Sequence, residues 1–316
     1  WAMVAAALVK AIIAQVLRPA LPFPLRFAGV RPILAFGSQT SALFVIGAIG
    51  SRTADLIIGW LINLTSTGLF TRATGLTTQL RSLISGAAGG VLYPTLARLQ
   101  REGEDLGPYY LRVVACFTAA TWPAMAGLAV AAQPTVYMLF GPAWAGTAPV
   151  LSWIAVGELL FIALPLHIEL PMLRNRIRPL IARNIVDTIA AVTLLYIGAS
   201  ISLHAAAMSR VAYGVCWLAI YVRFICGIAG IKPRQLLPVY LSSGCATLAA
   251  IAPMGLAALT LDHFSTLPFL ALAALAGTGV ALWLVTLLLL RHPLADELIA
   301  LLGSFAVRLR HIRKVT

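Results

Sequence analysis

Apolar residues run through the chain in nine long stretches, over residues 1–17, 33–62, 69–96, 111–140, 150–173, 180–200, 205–228, 236–259 and 267–290. A bilayer core of about 30 Å takes about 20 apolar residues in helical form. The pattern therefore predicts an all-α, polytopic membrane helix bundle of about nine spans. The first stretch, from Trp1 to Leu17, is short for a span and lacks the basic leader and small-residue cleavage site of a signal peptide. It reads as the end of a truncated helix, and the chain as a portion of a longer protein.

The connections alternate in charge. Those at 18–31, 98–112, 174–183 and 223–234, with the tail from Arg291, carry 3, 3, 4, 3 and 5 Lys or Arg, which is 18 of the 23 in the chain. The connections between them, at 63–68, 141–147, 201–204 and 260–266, carry none. Strict alternation of this kind is what the positive-inside rule predicts for consecutive spans, and it puts the C-terminus in the cytoplasm. The organisation expected is a truncated helix over 1–17, a cytoplasmic linker over 18–32, and a six-helix bundle over 33–229. Two additional helices over 230–292 and a basic amphipathic cytoplasmic tail over 293–316 follow.

Composition agrees. The chain of 316 residues is 60% hydrophobic and 10% charged, with a mean hydropathy of +0.93. A soluble domain is about a quarter charged, so soluble enzymes and nucleic-acid-binding domains are excluded. The net charge of +13 belongs to the cytoplasmic connections rather than to a nucleic-acid surface. Cys116, Cys216, Cys226 and Cys245 lie in apolar stretches without C-x-x-C spacing, and the five histidines are scattered. No H-E-x-x-H, G-x-S-x-G or P-loop spacing occurs. No enzyme activity, cofactor or metal is expected.

Five cations (Lys10, Arg52, Arg72, Arg81, Arg210) and four carboxylates (Asp55, Glu158, Glu169, Asp187) remain inside the apolar stretches. Facing lipid, they would cost on the order of 25 kcal/mol in total. They must face one another or a wet interior. At 100° per residue, Gly37, Ser41, Ala48, Ser51, Arg52, Asp55 and Gly59 share one face of the second helix. Thr71, Arg72, Thr74, Gly75, Thr78, Gln79, Arg81, Ser82, Ser85, Gly86 and Gly89 share one half of the third. Its opposite half is apolar except for Thr77. Two polar stripes on neighbouring helices predict a polar cavity.

By depth, Arg52, Asp55 and Arg72 fall in the outer half of the membrane and Arg81 near its middle, without an evident acidic partner. Asp55 is expected to pair with Arg52 or Arg72. Arg81 is either an anion contact or an interhelical hydrogen-bond donor. Glu158 is a candidate coupling-ion or proton site, on a segment that Pro165 should kink. Glu169 should pair with a loop arginine, and Asp187 with Arg183 four residues before it. Arg210 and Lys10 have no assignment.

The stretch Asp55-Leu-Ile-Ile-Gly59, followed by Gly68-Leu-Phe-Thr-Arg72-Ala73, resembles the D-x-x-I/L-I/L-G … G-x-Y/F-x-R-A pattern of bacterial polysaccharide flippases. Val91-Leu-Tyr-Pro94-Thr-Leu-Ala-Arg98 is similar to the family's signature at the end of the next span. Pro123 to Ala129, Pro134 and Leu139-Phe-Gly141-Pro-Ala-Trp144 resemble the segment after it. The family belongs to the multidrug/oligosaccharidyl-lipid/polysaccharide exporter superfamily. The resemblance covers roughly residues 37–158; beyond that only hydropathy agrees. The connection at 60–67, with Asn63, Thr65, Ser66 and Thr67, departs from it by being extended and polar.

The resemblance implies an exporter-like second six-helix bundle plus two extra helices, with the first bundle absent from this chain. It also implies outward translocation of an undecaprenyl-diphosphate-linked oligosaccharide by alternating access. The partners so implied are the lipid-linked oligosaccharide, membrane lipid, and polysaccharide polymerase and chain-length machinery; no nucleic acid is implied. On the residues, Arg81 is expected at the diphosphate, with Arg72 and Arg52 raising the local potential and Thr74, Thr78, Gln79 and Ser82 meeting sugar hydroxyls. Asp55 and Glu158 are coupling or structural charges. The alternatives are a cation-coupled multidrug exporter of the same superfamily and a non-transporting membrane scaffold in polysaccharide synthesis.

Overall fold

A computed structural model of the chain describes residues 2–17 and 30–299. Its eleven principal helices are α1 (Ala2–Leu17), α2 (Val30–Leu61), α3 (Leu64–Glu102), α4 (Leu106–Val130), α5 (Ala132–Phe140), α6 (Thr147–Ile162), α7 (Glu169–Leu173), α8 (Ile177–Ile201), α9 (Leu203–Ala229), α10 (Leu236–Thr260) and α11 (Phe269–Leu289). No strand occurs among the described residues. A further helical segment starts at Pro293; the basic end of the expected tail, from 300 on, and the linker over 18–29 lie outside the described residues. The chain divides into two compact units, residues 1–41 and 42–316. In the first, α1 is an apolar helix with exposed side chains, Lys10 among them.

The protein is an all-α, multi-pass membrane protein. Among the described residues six helical stretches are long and apolar enough to cross a bilayer: Gly37–Leu61, Leu106–Val130, Ile177–Ile201, Leu203–Ala229, Pro233–Thr260 and Phe269–Leu289. Val4–Leu17 and Thr147–Ile162 are shorter apolar helices. The remaining element, α3, is the longest helix but is too polar to count among the six. Its polar face is visible in that shortfall.

Helix ends follow local chemistry. Asn63 caps α3 by accepting a hydrogen bond from the Ser66 N–H at 2.7 Å. The connection expected to be extended over 60–67 is thus a two-residue turn, Ile62 and Asn63, because Thr65, Ser66 and Thr67 join the first turn of α3. Gly103, at φ 76°, closes α3 in the left-handed conformation that glycine adopts without a Cβ clash. Asp105 caps α4, and Ser202 alone joins α8 to α9 by capping the latter.

Proline explains two breaks. Pro134 has no N–H to offer the Val130 carbonyl, and the stretch expected to run on to residue 140 divides there into α4 and α5. Pro165 likewise ends α6 at Ile162, and a turn separates it from the five residues of α7. The expected kink is a full interruption.

Two apolar cores hold the bundle. One gathers Ile57, Ile58, Phe70, Ala73, Val136, Leu151, Ile154, Leu195 and Ala207 from α2, α3, α5, α6, α8 and α9. The other gathers Leu96, Tyr110, Val114, Leu164, Leu180, Trp217 and Tyr221 from α3, α4, α8, α9 and the turn after α6. Helices α10 and α11 attach through α4. There the Thr118 and Ser243 hydroxyls lie 2.8 Å apart, His292 Nε2 is 3.3 Å from Ser243, and the Trp283 indole N–H donates to the Ala119 carbonyl at 2.9 Å. Gly279 permits the close approach of α11 to α10, since a Cβ there would sit 2.3 Å from the Ala250 carbonyl oxygen.

Candidate functional site

Between the two cores, α3, α6, α8 and α9 each bring one charged side chain inward. On α6, Glu158 lies four residues past the core residue Ile154 and is 4% exposed. Its Oε2 accepts from Arg81 Nη1 of α3 at 2.8 Å, and its Oε1 from Arg210 Nη2 of α9 at 3.2 Å. One buried carboxylate thus ties three helices together. Ion pairs of this kind satisfy charges that a membrane interior cannot solvate.

The packing that allows the pairing is set by two glycines. A Cβ on Gly157 would lie 3.2 Å from the Arg210 backbone, and one on Gly214 only 2.8 Å from the Leu160 side chain. Small residues at both positions let α6 and α9 touch along their backbones. The Arg210 guanidinium also lies over the Phe161 and Tyr213 rings, with centroids at 5.0 and 5.5 Å. Beyond it, Asp187 of α8 is 7% exposed and within electrostatic reach of Tyr213 and Arg210.

Arg81 therefore has an acidic partner, contrary to expectation. A depth count along single helices could not pair residues 77 positions apart. Asp187 does not pair with Arg183, which donates to the Pro179 carbonyl and stacks over Phe224 at 4.0 Å. Across the α8–α9 hairpin Asp187 instead meets the Tyr213 hydroxyl and the charge of Arg210. Glu169 is exposed and makes no ion pair among the described residues. Arg210, unassigned from sequence, is the second cation on Glu158. Its signal was already there: an arginine in an apolar span needs a partner, although no spacing says which.

Near the α2–α3 turn the expected ion pair of Asp55 with Arg52 or Arg72 is absent. Asp55 accepts a hydrogen bond from the Thr71 hydroxyl at 3.1 Å, across α2 and α3. Arg72 instead stacks over the Phe140 and Trp144 rings, at 5.5 and 5.2 Å. Arg52 is exposed. On α3, Phe70, Ala73 and Thr77 are buried, while Thr71, Arg72, Thr78, Gln79 and Ser82 are exposed and Arg81 keeps 40% of its side chain accessible. The Thr74 hydroxyl is spent on the Phe70 and Thr71 carbonyls of its own helix. The two-sided character read from α3 is thus real, with the apolar side inward and a polar strip outward. On the apolar side Leu83 departs from this, at 75% exposed.

A cavity of about 530 Å³ lies elsewhere, between α4, α5, α10 and α11, and no charged side chain lines it. Pro123, Met138, Met254, Phe269 and Trp283 are among its walls. It suits hydrocarbon rather than sugar. No group of three or more His, Cys, Asp or Glu able to hold a metal occurs among the described residues.

A polytopic helical membrane protein with a polar strip on one span and a charged junction in its interior is the class defined so far. Comparison with known proteins narrows it. Residues 1–149 match the family described as "Polysaccharide biosynthesis protein". The chain is 26% identical to the lipopolysaccharide biosynthesis protein WzxC of Escherichia coli (strain K12), over 46% of this chain and 29% of that protein. It is 28% identical to an uncharacterized membrane protein in the cps region of Klebsiella pneumoniae, over 36% of this chain and 24% of that one. It is 26% identical to the succinoglycan biosynthesis transport protein ExoT of Rhizobium meliloti (strain 1021), over 33% and 21%. The matched chain thus spans less than a third of the length of these relatives. No solved structure matches. The resemblance carried by Asp55 to Gly59 and Gly68 to Ala73 lies inside the matched stretch, whereas Glu158, Asp187 and Arg210 lie past it.

Proposed function

We propose that this chain takes part in exporting a lipid-linked oligosaccharide, an undecaprenyl-diphosphate-linked repeat unit, across a bacterial inner membrane, as a transporter rather than an enzyme. One observation carries the reading: α3 turns Thr71, Arg72, Thr78, Gln79, Arg81 and Ser82 outward along a helix whose other side is packed in the core. Hydroxyl and amide groups match sugar, and guanidinium groups match a diphosphate bidentately. The similarity of this region to polysaccharide biosynthesis proteins supports the same substrate class. The apolar outer faces, with Ile189, Ile197, Leu241, Leu248, Leu270 and Leu289 exposed, suit a prenyl chain in the surrounding hydrocarbon.

Translocation follows alternating access. Arg81 is the diphosphate contact, held in place through one nitrogen by Glu158 while the rest of its fork stays accessible. Arg72 and Arg52 raise the potential toward the outer end, and Thr78, Gln79 and Ser82 meet the sugar. The basic connections and the C-terminal tail lie in the cytoplasm. Replacing Arg81 by Ala in the full-length protein should abolish polysaccharide export in cells without lowering its amount in the membrane. Normal export by that variant would sink the assignment.

A further inference from the structure

Asp187 is the one carboxyl of the junction without a salt bridge among the described residues. It is 7% exposed, and its Oδ1 finds no hydrogen-bond partner among them. On the facing helix, Arg210 has a matching defect: its Nε is buried and unpartnered, although its Nη2 is held by Glu158. An orphan acceptor and an orphan charged donor therefore sit on adjacent helices of one tight hairpin. Tyr213 lies against both, under the Arg210 guanidinium and with its hydroxyl toward Asp187. Glu158 meanwhile accepts from two guanidinium groups.

In this arrangement Arg210 is committed to Glu158 and makes no salt bridge to Asp187. With Glu158 ionised, two arginines share one carboxylate, and an ionised Asp187 beside them would be a buried anion without a salt bridge. We propose that Asp187 is a proton-binding site, loaded in the conformation described here and emptied when Arg210 transfers from Glu158 to it. In the transfer the Asp187 O–H bond breaks, the proton leaves to water, and the carboxylate takes the Arg210 guanidinium. Glu158 remains paired with Arg81. Each cycle of the switch thus binds and releases one proton, and it changes the tie between α6 and α9 as it does so.

The groups that face Asp187 are few. From α9 come Tyr213, Arg210 and, farther along, Tyr221. Its own helix carries Arg183 and Asn184, and α7 carries the exposed Glu169. Arg183 is turned to Phe224, which leaves Arg210 as the cation that can compensate Asp187. As a drive for export the switch rests on the transport reading above. The proton site itself does not.

Infrared difference spectroscopy of the full-length protein, reconstituted in lipid without cargo, reads the proton directly. The wild type should show, at neutral pH, the carbonyl stretch of a protonated carboxylic acid that shifts in heavy water. Asp187→Asn should abolish it. Arg210→Met should retain it to higher pH, and Glu158→Gln should weaken it by freeing Arg210 for Asp187. If Asp187→Asn does not fold, Tyr213→Phe serves, since loss of the hydroxyl contact should move the band. A wild type without the band, or a band unchanged in Asp187→Asn or in Tyr213→Phe, overturns the proposal. Because no cargo is present, that failure would leave the export reading standing, and loss of export reading would leave the band.

Discussion

Two junctions stitch this protein together, and they are built from opposite chemistry. Where α3, α6, α8 and α9 meet, four charges are shared unevenly: Glu158 has two cations and Asp187 has none as a salt-bridge partner. Where α4 meets α10 and the segment after α11, the buried polar groups are neutral and each has its partner, and the ion pair there, Arg112 with Glu297, is half exposed. The Leu294 N–H donates to His292 Nδ1 at 3.2 Å, so the ring proton sits on Nε2 and points to Ser243. Ser243 then donates to Thr118, whose hydroxyl donates to the Val114 carbonyl at 2.7 Å. Thr118 and Ser243 are fully buried and His292 is 2% exposed. A directed chain of this kind has one low-energy arrangement. An uneven ion cluster has at least two, which is what a moving part requires.

The largest effect expected from breaking this contrast is at Glu158. Glu158→Gln removes the carboxylate that ties α3 to α6 and α9 and leaves Arg81 without its acidic partner, and removing one member of a buried pair costs about 3–5 kcal/mol. Arg81 is 40% exposed, which puts the loss toward the lower end. A thermal melt in detergent should show it as a marked fall in the transition temperature. An unchanged melt would mean that Glu158 is not the tie between these helices.

Next in size is Gly279→Ala. The new methyl would meet the Ala250 carbonyl oxygen at 2.3 Å, a backbone atom that cannot swing aside. Overpacking of this kind costs about 1–3 kcal/mol. Proteolysis should then release the α10–α11 hairpin before the rest of the bundle is cut; simultaneous cleavage of both regions would refute the separateness of the two junctions.

Ser243→Ala should cost about 1–2 kcal/mol, because it leaves the His292 Nε2 proton without an acceptor. It also sharpens the comparison through pH. Burial holds the His292 imidazole below its ordinary value near 6.5. The unfolded chain therefore takes up the proton first, so the stability is fully present above about pH 6.5 and declines as pH falls toward the folded value. His292→Gln should flatten that decline in melts between neutral and mildly acidic pH. The smallest effect belongs to Arg112→Ala. Its 2.8 Å pair with Glu297 is about half exposed on both sides, 51% and 49%, and such pairs contribute about 1 kcal/mol or less. A melt shifted as far as that of Glu158→Gln would erase the distinction between buried and exposed pairs.

Much of this was legible one helix at a time. Hydropathy marked the apolar helices, and turns occur at the four connections without Lys or Arg, around Asn63, Gly141, Ser202 and Asp262. The two faces of α3 could be read from 3.6-residue periodicity. The breaks at Pro134 and Pro165 were partly legible: a proline in a helix announces a disturbance, but whether the chain kinks or stops depends on what packs around it.

What the sequence by itself determined is the class of protein and the need for pairing. Apolar runs of this length have no stable place in water, and charges inside them call for partners; Arg81, Glu158 and Arg210 have them, whereas Lys10, Arg52 and Glu169 are exposed. Only the tertiary structure decided who pairs with whom. Arg81, Glu158 and Arg210 lie on three helices, 77 and 52 positions apart, and their meeting depends on the crossing of α6 and α9 at Gly157 and Gly214. Asp187 shows the same limit from the other side. Four residues before it stands an arginine of suitable charge, yet the turn of the α8–α9 hairpin brings Tyr213 and Arg210 to it instead. Local spacing offers candidates, and packing chooses among them because contact energies fall off within a few ångströms while chain separation carries no such information.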